Sequence, residues 1–285
     1  MQKLLLVTIA LFIFVACKKK VTTVSPVTIA AQTMLNVSYG LDARNIMDVY
    51  LPANRTESNT PVLIMIHGGG WSEGSKADFA SFVDTMRRRL PNYAIFNIMY
   101  RLAGNSINLF PAQEMDVKKC VEFIYSKRTD YKISTKFVIA GASAGGHLAL
   151  LQSYKYTTPI KIKAVIDFFG PTELTQYYNN PPNIFVPLLL FNVTGATPFT
   201  NPVLYNQSSP FTYAVAGSCP TLILQGGIDP LVPAWQSTIL RDKLITNGVA
   251  NQYVFYPSGG HGDWDAVTYY DAFSKIELFI KTYNP

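Results

Sequence analysis

Phe137-Val138-Ile139-Ala140-Gly141-Ala142-Ser143-Ala144-Gly145-Gly146-His147-Leu148 reads as a buried strand, a G-x-S-x-G turn and the opening of a helix. The apolar run Phe137 to Ala140 suits a strand covered on both faces. A serine at so sharp a strand-to-helix turn has close neighbours on both sides, where a Cβ would clash, and that explains the flanking Gly141 and Gly145. The turn lifts the Ser143 hydroxyl above the sheet edge, at the amino end of a helix whose dipole favours developing negative charge. A bare G-x-S-x-G is common by chance; between a buried strand and a helix it specifies an open α/β sheet.

Working outward, apolar runs and alternation predict further strands at Leu35 to Tyr39, Asn45 to Leu51, Val62 to Ile66, Tyr93 to Tyr100, Lys163 to Phe168, Thr221 to Leu224 and Gln252 to Tyr256. Helical patterns fill the gaps at Lys76 to Leu90, Ala112 to Lys127, Ala144 to Ser153, Ala234 to Asn247 and Asp263 to Thr282. Strand and helix alternate after an initial antiparallel pair. That pattern predicts a three-layer α/β sandwich with a mostly parallel, eight-stranded sheet. The stretch from Pro171 to Pro220 breaks the rhythm with eight prolines and the apolar run Ile184 to Phe191. So long a structureless loop is improbable inside a domain, so a cap of short helices is expected over about 171–219.

A hydroxyl is a weak nucleophile at neutral pH and needs a base. The chain has three histidines, and if the order is serine, acid, histidine, as this kind of turn requires, only His261 qualifies. It lies in the glycine-rich loop Pro257-Ser258-Gly259-Gly260-His261-Gly262, between the last strand and the last helix. The acid must come from Asp167, Glu173, Asp229 or Asp242. Asp229 is preferred because it follows the strand Thr221 to Leu224 at the same carboxyl edge. Asp167, which ends an earlier strand, is the other candidate, whereas Asp242 sits mid-helix between Arg241 and Lys243 on what reads as a solvated face. A tetrahedral intermediate also needs donors for its oxyanion. His67-Gly68-Gly69-Gly70-Trp71 follows the strand Val62 to Ile66, and backbone N–H groups of Gly69, Gly70 and Ala144 are the expected donors. Taken alone, the glycine run could equally be a flexible turn.

These segments resemble the esterase and lipase branch of the α/β-hydrolase family related to hormone-sensitive lipase, in particular small bacterial acetyl and feruloyl esterases. Further matches are Asp48-Val49-Tyr50-Leu51-Pro52, Tyr100-Arg101-Leu102-Ala103, Phe110-Pro111-Ala112, Phe169-Gly170-Pro171-Thr172 and Asp229-Pro230-Leu231-Val232-Pro233, so the similarity runs from about residue 40 to the end. Gly104-Asn105 departs from the family, which usually continues there with Pro and Glu. The resemblance implies a Ser143, Asp229, His261 triad and a glycine oxyanion hole. The expected reaction is hydrolysis of short-chain or aromatic acyl esters, for which export to an envelope suggests acetylated or feruloylated glycans; three scattered histidines and no H-E-x-x-H pattern predict no metal or cofactor. An exopeptidase or formamidase on the same fold is the nearest rival, and a non-catalytic surface binding protein is the rival from another class.

Other residues carry plainer expectations. His67 precedes the serine and should brace its own loop; His147, four residues beyond Ser143, should be a satisfied core histidine. Trp71 could wall a substrate pocket or cover the sheet edge. Tyr177, Tyr178, Phe185 and Phe191 could stack on a sugar or phenolic group, or form the cap's own core; Trp71, Tyr177 and Tyr178 are the candidate pocket residues.

The 285 residues are 48% hydrophobic and only 15% charged, which excludes disorder. Of the net charge of +6, Lys3, Lys18, Lys19 and Lys20 supply four, and the remaining +2 with no basic stripe argues against a nucleic-acid partner. Lys3 and the apolar run Leu4 to Ala16 read as a signal peptide over 1–16, too short to span a bilayer. Ala16-Cys17 resembles the lipobox of bacterial lipoproteins, which implies lipidation at Cys17, a tether over 17–33, a folded domain over 34–285, and export to a bacterial envelope with membrane contact through the lipid alone. Cys120 lies on the apolar stripe Val117, Cys120, Val121, Ile124 and Cys219 just before a strand, so two separate buried thiols are expected.

Overall fold

The computed structural model describes residues 28–284. The expected signal peptide, Cys17 and most of the tether lie outside the described residues. The strands are β1 (Gln32–Ser38), β2 (Ile46–Leu51), β3 (Val62–Ile66), β4 (Ala94–Ile98), β5 (Phe137–Ala142), β6 (Ala164–Phe168), β7 (Thr221–Gly226) and β8 (Asn251–Tyr256). The helices are α1 (Ala80–Arg89), α2 (Ala112–Ser126), α3 (Arg128–Tyr131), α4 (Ala144–Lys155), α5 (Leu174–Asn179), α6 (Phe185–Thr194), α7 (Pro202–Gln207), α8 (Pro210–Tyr213), α9 (Ala234–Thr246) and α10 (Ala266–Tyr283).

One sheet runs in the order β1-β2-β4-β3-β5-β6-β7-β8. β2 is antiparallel to both β1 and β4, and from β4 to β8 every pair is parallel. The pleat sends Val62, Ile64 and Ile66 of β3 into one core with α2, α4 and α9, and Leu63 and Met65 into a second core with α1 and α10. Both faces are therefore covered, which is why the central strands read as unbroken apolar runs. Full burial of each such side chain stabilises the fold by about 1.5–3 kcal/mol. Cys120 and Cys219 are buried separately and unpaired. Among the described residues no helix is long and apolar enough to cross a membrane.

The differences from expectation are local. β1 starts at Gln32, so it takes in the last residues of the expected tether, and it is irregular between Met34 and Val37. The helix expected from Lys76 opens instead as a 3₁₀ turn, Lys76–Phe79, because Ser75 and Asp78 cap each other's backbone N–H groups; α1 begins only after it. Asp265 caps α10 by accepting from Thr268 N at 2.7 Å, which delays that helix to Ala266. The insertion after β6 is helical, as expected, and α5 to α8 form the cap.

Candidate active site

The carboxyl edge of the sheet gathers β3, β5, β6, β7 and β8, and the loops that leave it build the site. Ser143 follows β5 directly with φ of 55°, a left-handed conformation rare for a side-chain-bearing residue. Its N–H donates to Phe168 O at 2.8 Å and its C=O accepts from His147 N at 3.0 Å, so neighbouring elements hold the strained turn on both sides. Close packing explains Gly145: a Cβ there would sit 2.2 Å from Ile66 O and 2.4 Å from His67 O. Helix α4 thereby starts directly against the end of β3, and Ala144, its first residue, presents an N–H with no intrahelical acceptor.

His261 reaches over this edge from the loop after β8. Its Nε2 is 2.9 Å from Ser143 Oγ and its Nδ1 is 2.7 Å from Asp229 Oδ2. A carboxylate only accepts, so the imidazole proton belongs on Nδ1, leaving Nε2 to accept from the serine hydroxyl. Asp229 is completely buried at its side chain, and its Oδ1 accepts from Leu231 N at 2.8 Å and Val232 N at 2.9 Å. The turn Asp229-Pro230-Leu231-Val232 therefore aims the carboxylate at His261. The structure brings Ser143, Asp229 and His261 together, and none of the other candidate acids reaches them. Asp167 is buried at the end of β6, where Oδ1 accepts from Gly170 N at 3.0 Å and Oδ2 has no partner. Burial pushes its carboxyl well above the usual carboxylate range. Glu173 caps α5, and Asp242 pairs with Arg241 at 2.7 Å in solvent.

The glycine loop after β3 lies beside the serine. Gly69 has φ of 102°, and a Cβ on it would collide with Glu73 O at 2.2 Å, so only glycine fits the turn. His67 braces this loop: Nδ1–H donates to Gly68 O at 2.7 Å and the ring stacks on Tyr100 with centroids 4.3 Å apart. Tyr100 Oη donates to His67 O at 3.1 Å and Gly68 O at 3.0 Å. Burial lowers the His67 pKa to about 4. His147 is also buried, with its pKa lowered to about 4 by desolvation. Its Nδ1 accepts from the Trp71 indole N–H at 3.2 Å and its Nε2 donates to Ser208 O of the cap at 2.7 Å. One neutral ring thus ties the glycine loop to the cap.

These parts enclose a cavity of about 610 Å³ whose lining includes Ser143, His261, Gly69, Gly70, Trp71 and Tyr177. Trp71 and Tyr177 both line it, Tyr177 being fixed by a hydrogen bond to Leu231 O at 2.8 Å. Tyr178 is a correction: it is absent from the cavity wall and packs edge-on against Tyr205 in the cap. Sequence reading missed Phe169, which has φ of 44°, lines the cavity and lies 4.6 Å from the His261 ring. It also missed Arg44, whose guanidinium donates to Tyr100 O at 2.8 Å and Gly74 O at 2.7 Å and so clamps the far end of the glycine loop. Phe169 was visible only as part of a matched motif, and Arg44 gave no signal at all.

A hydroxyl with an imidazole acceptor, a buried carboxylate behind that imidazole, and glycine backbone beside it can together perform acyl transfer. The model of a family described as BD-FAE matches residues 47–244. Esterase LipQ of Mycobacterium tuberculosis is 27% identical over 246 residues, 81% of this chain and 57% of that protein. The chain spans little more than half the length of three curated esterase relatives that it matches, 53–59%. Among solved structures, a truncated carbohydrate esterase from gut microbiota has a TM-score of 0.74 at 22% identity, covering 87% of this chain and 95% of that one. Esterase 2 of the planctomycete Thermogutta terrifontis, phosphonylated by sarin, has a TM-score of 0.72 at 20% identity, covering 88% and 94%. The fold is that of the α/β-hydrolases.

Proposed function

The chain belongs to the BD-FAE family of α/β-hydrolases, and from that premise we propose that it hydrolyses carboxylic esters through an acyl-enzyme on Ser143. The observation that carries the reading is the continuous chain from Ser143 Oγ to His261 Nε2, 2.9 Å, and from His261 Nδ1 to Asp229 Oδ2, 2.7 Å. Ser143 Oγ attacks the carbonyl carbon as His261 Nε2 takes its proton, and Asp229 balances the imidazolium. The N–H groups of Gly69, Gly70 and Ala144 hold the oxyanion. The carbon–oxygen bond to the alcohol then breaks, His261 giving its proton to that alcohol. Water repeats the sequence on the acyl-enzyme, releasing the acid and freeing Ser143. No step calls on a metal or organic cofactor.

The substrate class is short-chain or aromatic acyl esters, with acetylated or feruloylated glycans as the natural candidates; the aromatic walls of the cavity and the esterase names of the relatives support it. In this reading the protein is exported and held at a bacterial envelope by acyl chains on Cys17, which metabolic labelling with a palmitate analogue tests. The test of the chemistry is turnover of p-nitrophenyl acetate and labelling by a fluorophosphonate. Ser143→Ala should lose both while keeping its far-UV circular dichroism; retained turnover refutes the assignment. Matched ester and amide substrates separate this activity from that of a formamidase or peptidase.

A further inference from the structure

Helix α6 of the cap departs from the pattern of a surface helix. Its inward stripe, Val186, Leu190 and Val193, is buried, yet its outward face carries Phe185, Leu188 and Phe191, which are 70%, 65% and 49% exposed. A surface helix ordinarily places polar residues there, and contiguous exposed apolar side chains mark a binding face. A groove of about 510 Å³ lies along this face, lined by Phe185, Leu188, Leu189, Phe191 and Asn192, with no ionisable side chain among them. Phe185 and Leu189 also line the cavity that holds Ser143 and His261. Leu189 reaches down to the glycine loop, its Cδ2 3.2 Å from where a Cβ on Gly70 would lie.

We propose that the groove outside α6 is a second subsite of the active site, which takes an alkyl or aryl arm of the ester substrate. The inference rests on the ester-hydrolase reading and extends its substrate class beyond short-chain acyl esters, to an ester with one apolar arm that reaches past the catalytic cavity. Continuity identifies the occupant. A group bonded to a carbonyl held at Ser143 leaves the cavity over Phe185 and Leu189, and the next surface it meets is Leu188 and Phe191. The uncharged lining suits a hydrocarbon arm and offers no counter-charge to an anionic or cationic one. A polar remainder, such as a sugar, stays in water at the cavity mouth beside Glu73 and Asn183, which also line it.

The test measures kcat/KM on two series, p-nitrophenyl esters from acetate to octanoate and acetate esters of alcohols from ethanol to octanol, all below their aggregation concentrations. Full burial of a methylene is worth about fourfold, so a groove open on one side should give about twofold per methylene once the arm leaves the cavity. The series that gains identifies the half of the ester that supplies the arm. In the double variant Leu188→Asp, Phe191→Asp the long-to-short ratio should fall by about tenfold. Leu278→Asp, a similarly exposed leucine on α10, should leave the ratio unchanged. Both altered side chains are largely exposed, and circular dichroism checks that the variant folds. No gain in either series in the unaltered protein, or a gain that survives in a folded double variant, overturns the subsite while leaving the esterase assignment intact. Absence of turnover on every ester removes both.

Discussion

Acid should destabilise this protein well above the pH at which ordinary carboxylates protonate, because two buried histidines are neutral in the fold. Burial lowers His67 and His147 from an ordinary value of 6.5 to about 4. Both native-state proton affinities are depressed, so the unfolded chain takes up protons between those values that the native protein refuses. The associated stability is complete above a pH of about 6.5 and is lost as pH falls through about 4. Each shift is worth about 3 kcal/mol, and each ring steepens the fall by up to about 1.4 kcal/mol per pH unit. Asp167 acts in the opposite sense, since burial raises its affinity and the native protein keeps a proton that the unfolded chain releases. The two histidines account for at most two protons and Asp167 offsets about one, so the net uptake is at most one proton, or about 2 kcal/mol lost from pH 6.5 to 4.5, out of a typical total of about 5–15 kcal/mol. Urea unfolding at pH 7, 6, 5 and 4.5 measures it. His147→Gln should keep both hydrogen bonds, the amide oxygen accepting from Trp71 and the amide N–H donating to Ser208 O. It should also flatten the slope by about 1.4 kcal/mol per pH unit. Asp167→Asn should steepen it. Constant stability from pH 7 to 4.5, or an unchanged slope in a folded His147→Gln protein, would refute the reasoning.

Two further outcomes follow from single contacts. Gly145→Ala places a Cβ 2.2 Å from a backbone oxygen that cannot rotate away, so α4 must retreat from β3. The cost should be about 3 kcal/mol, seen as a Tm lower by about 6–12 °C, and an unchanged Tm would mean that the turn has slack. Asp229→Asn should leave the fold intact and lower kcat on p-nitrophenyl acetate by on the order of 10⁴, because the amide no longer holds the imidazole in its working tautomer. A loss below tenfold would move the acid's role elsewhere.

What was legible in the sequence divides along physical lines. β3 was read to the residue, and β5 and α4 nearly so, because a strand buried on both faces must be apolar throughout and a tight turn must be glycine-rich. The order of the triad members followed from the topology of such a turn. Position within a helix was harder. Tyr177 and Tyr178 are neighbours about 100° apart on α5, and only the one sharing a face with Leu174, three residues earlier, turns inward; both Leu174 and Tyr177 are buried. Without the helix start that phase could not be set. The split at Lys76–Phe79 came from hydrogen bonds between Ser75 and Asp78, which hydrophobic period does not report. Phe169 and Arg44 act through a left-handed backbone and through partners 30 and 56 residues away, and local pattern carries neither.

The choice between Asp167 and Asp229 shows how environment assigns a role that residue type leaves open. β6 and β7 lie side by side, and each delivers an aspartate at or just beyond its carboxyl end. At Asp229 the following turn supplies two backbone N–H donors to one oxygen and the imidazole supplies one to the other, so both oxygens have partners within the protein. At Asp167 one backbone N–H must serve the whole carboxyl, the second oxygen is orphaned, and no cation pairs with it. Burying charge on those terms is costly, so the proton stays. A neutral acid cannot balance an imidazolium, whatever its distance from it. The pentapeptide Asp229-Pro230-Leu231-Val232-Pro233 thus acts as a unit, because its backbone N–H groups hold the Asp229 carboxyl group in place against His261.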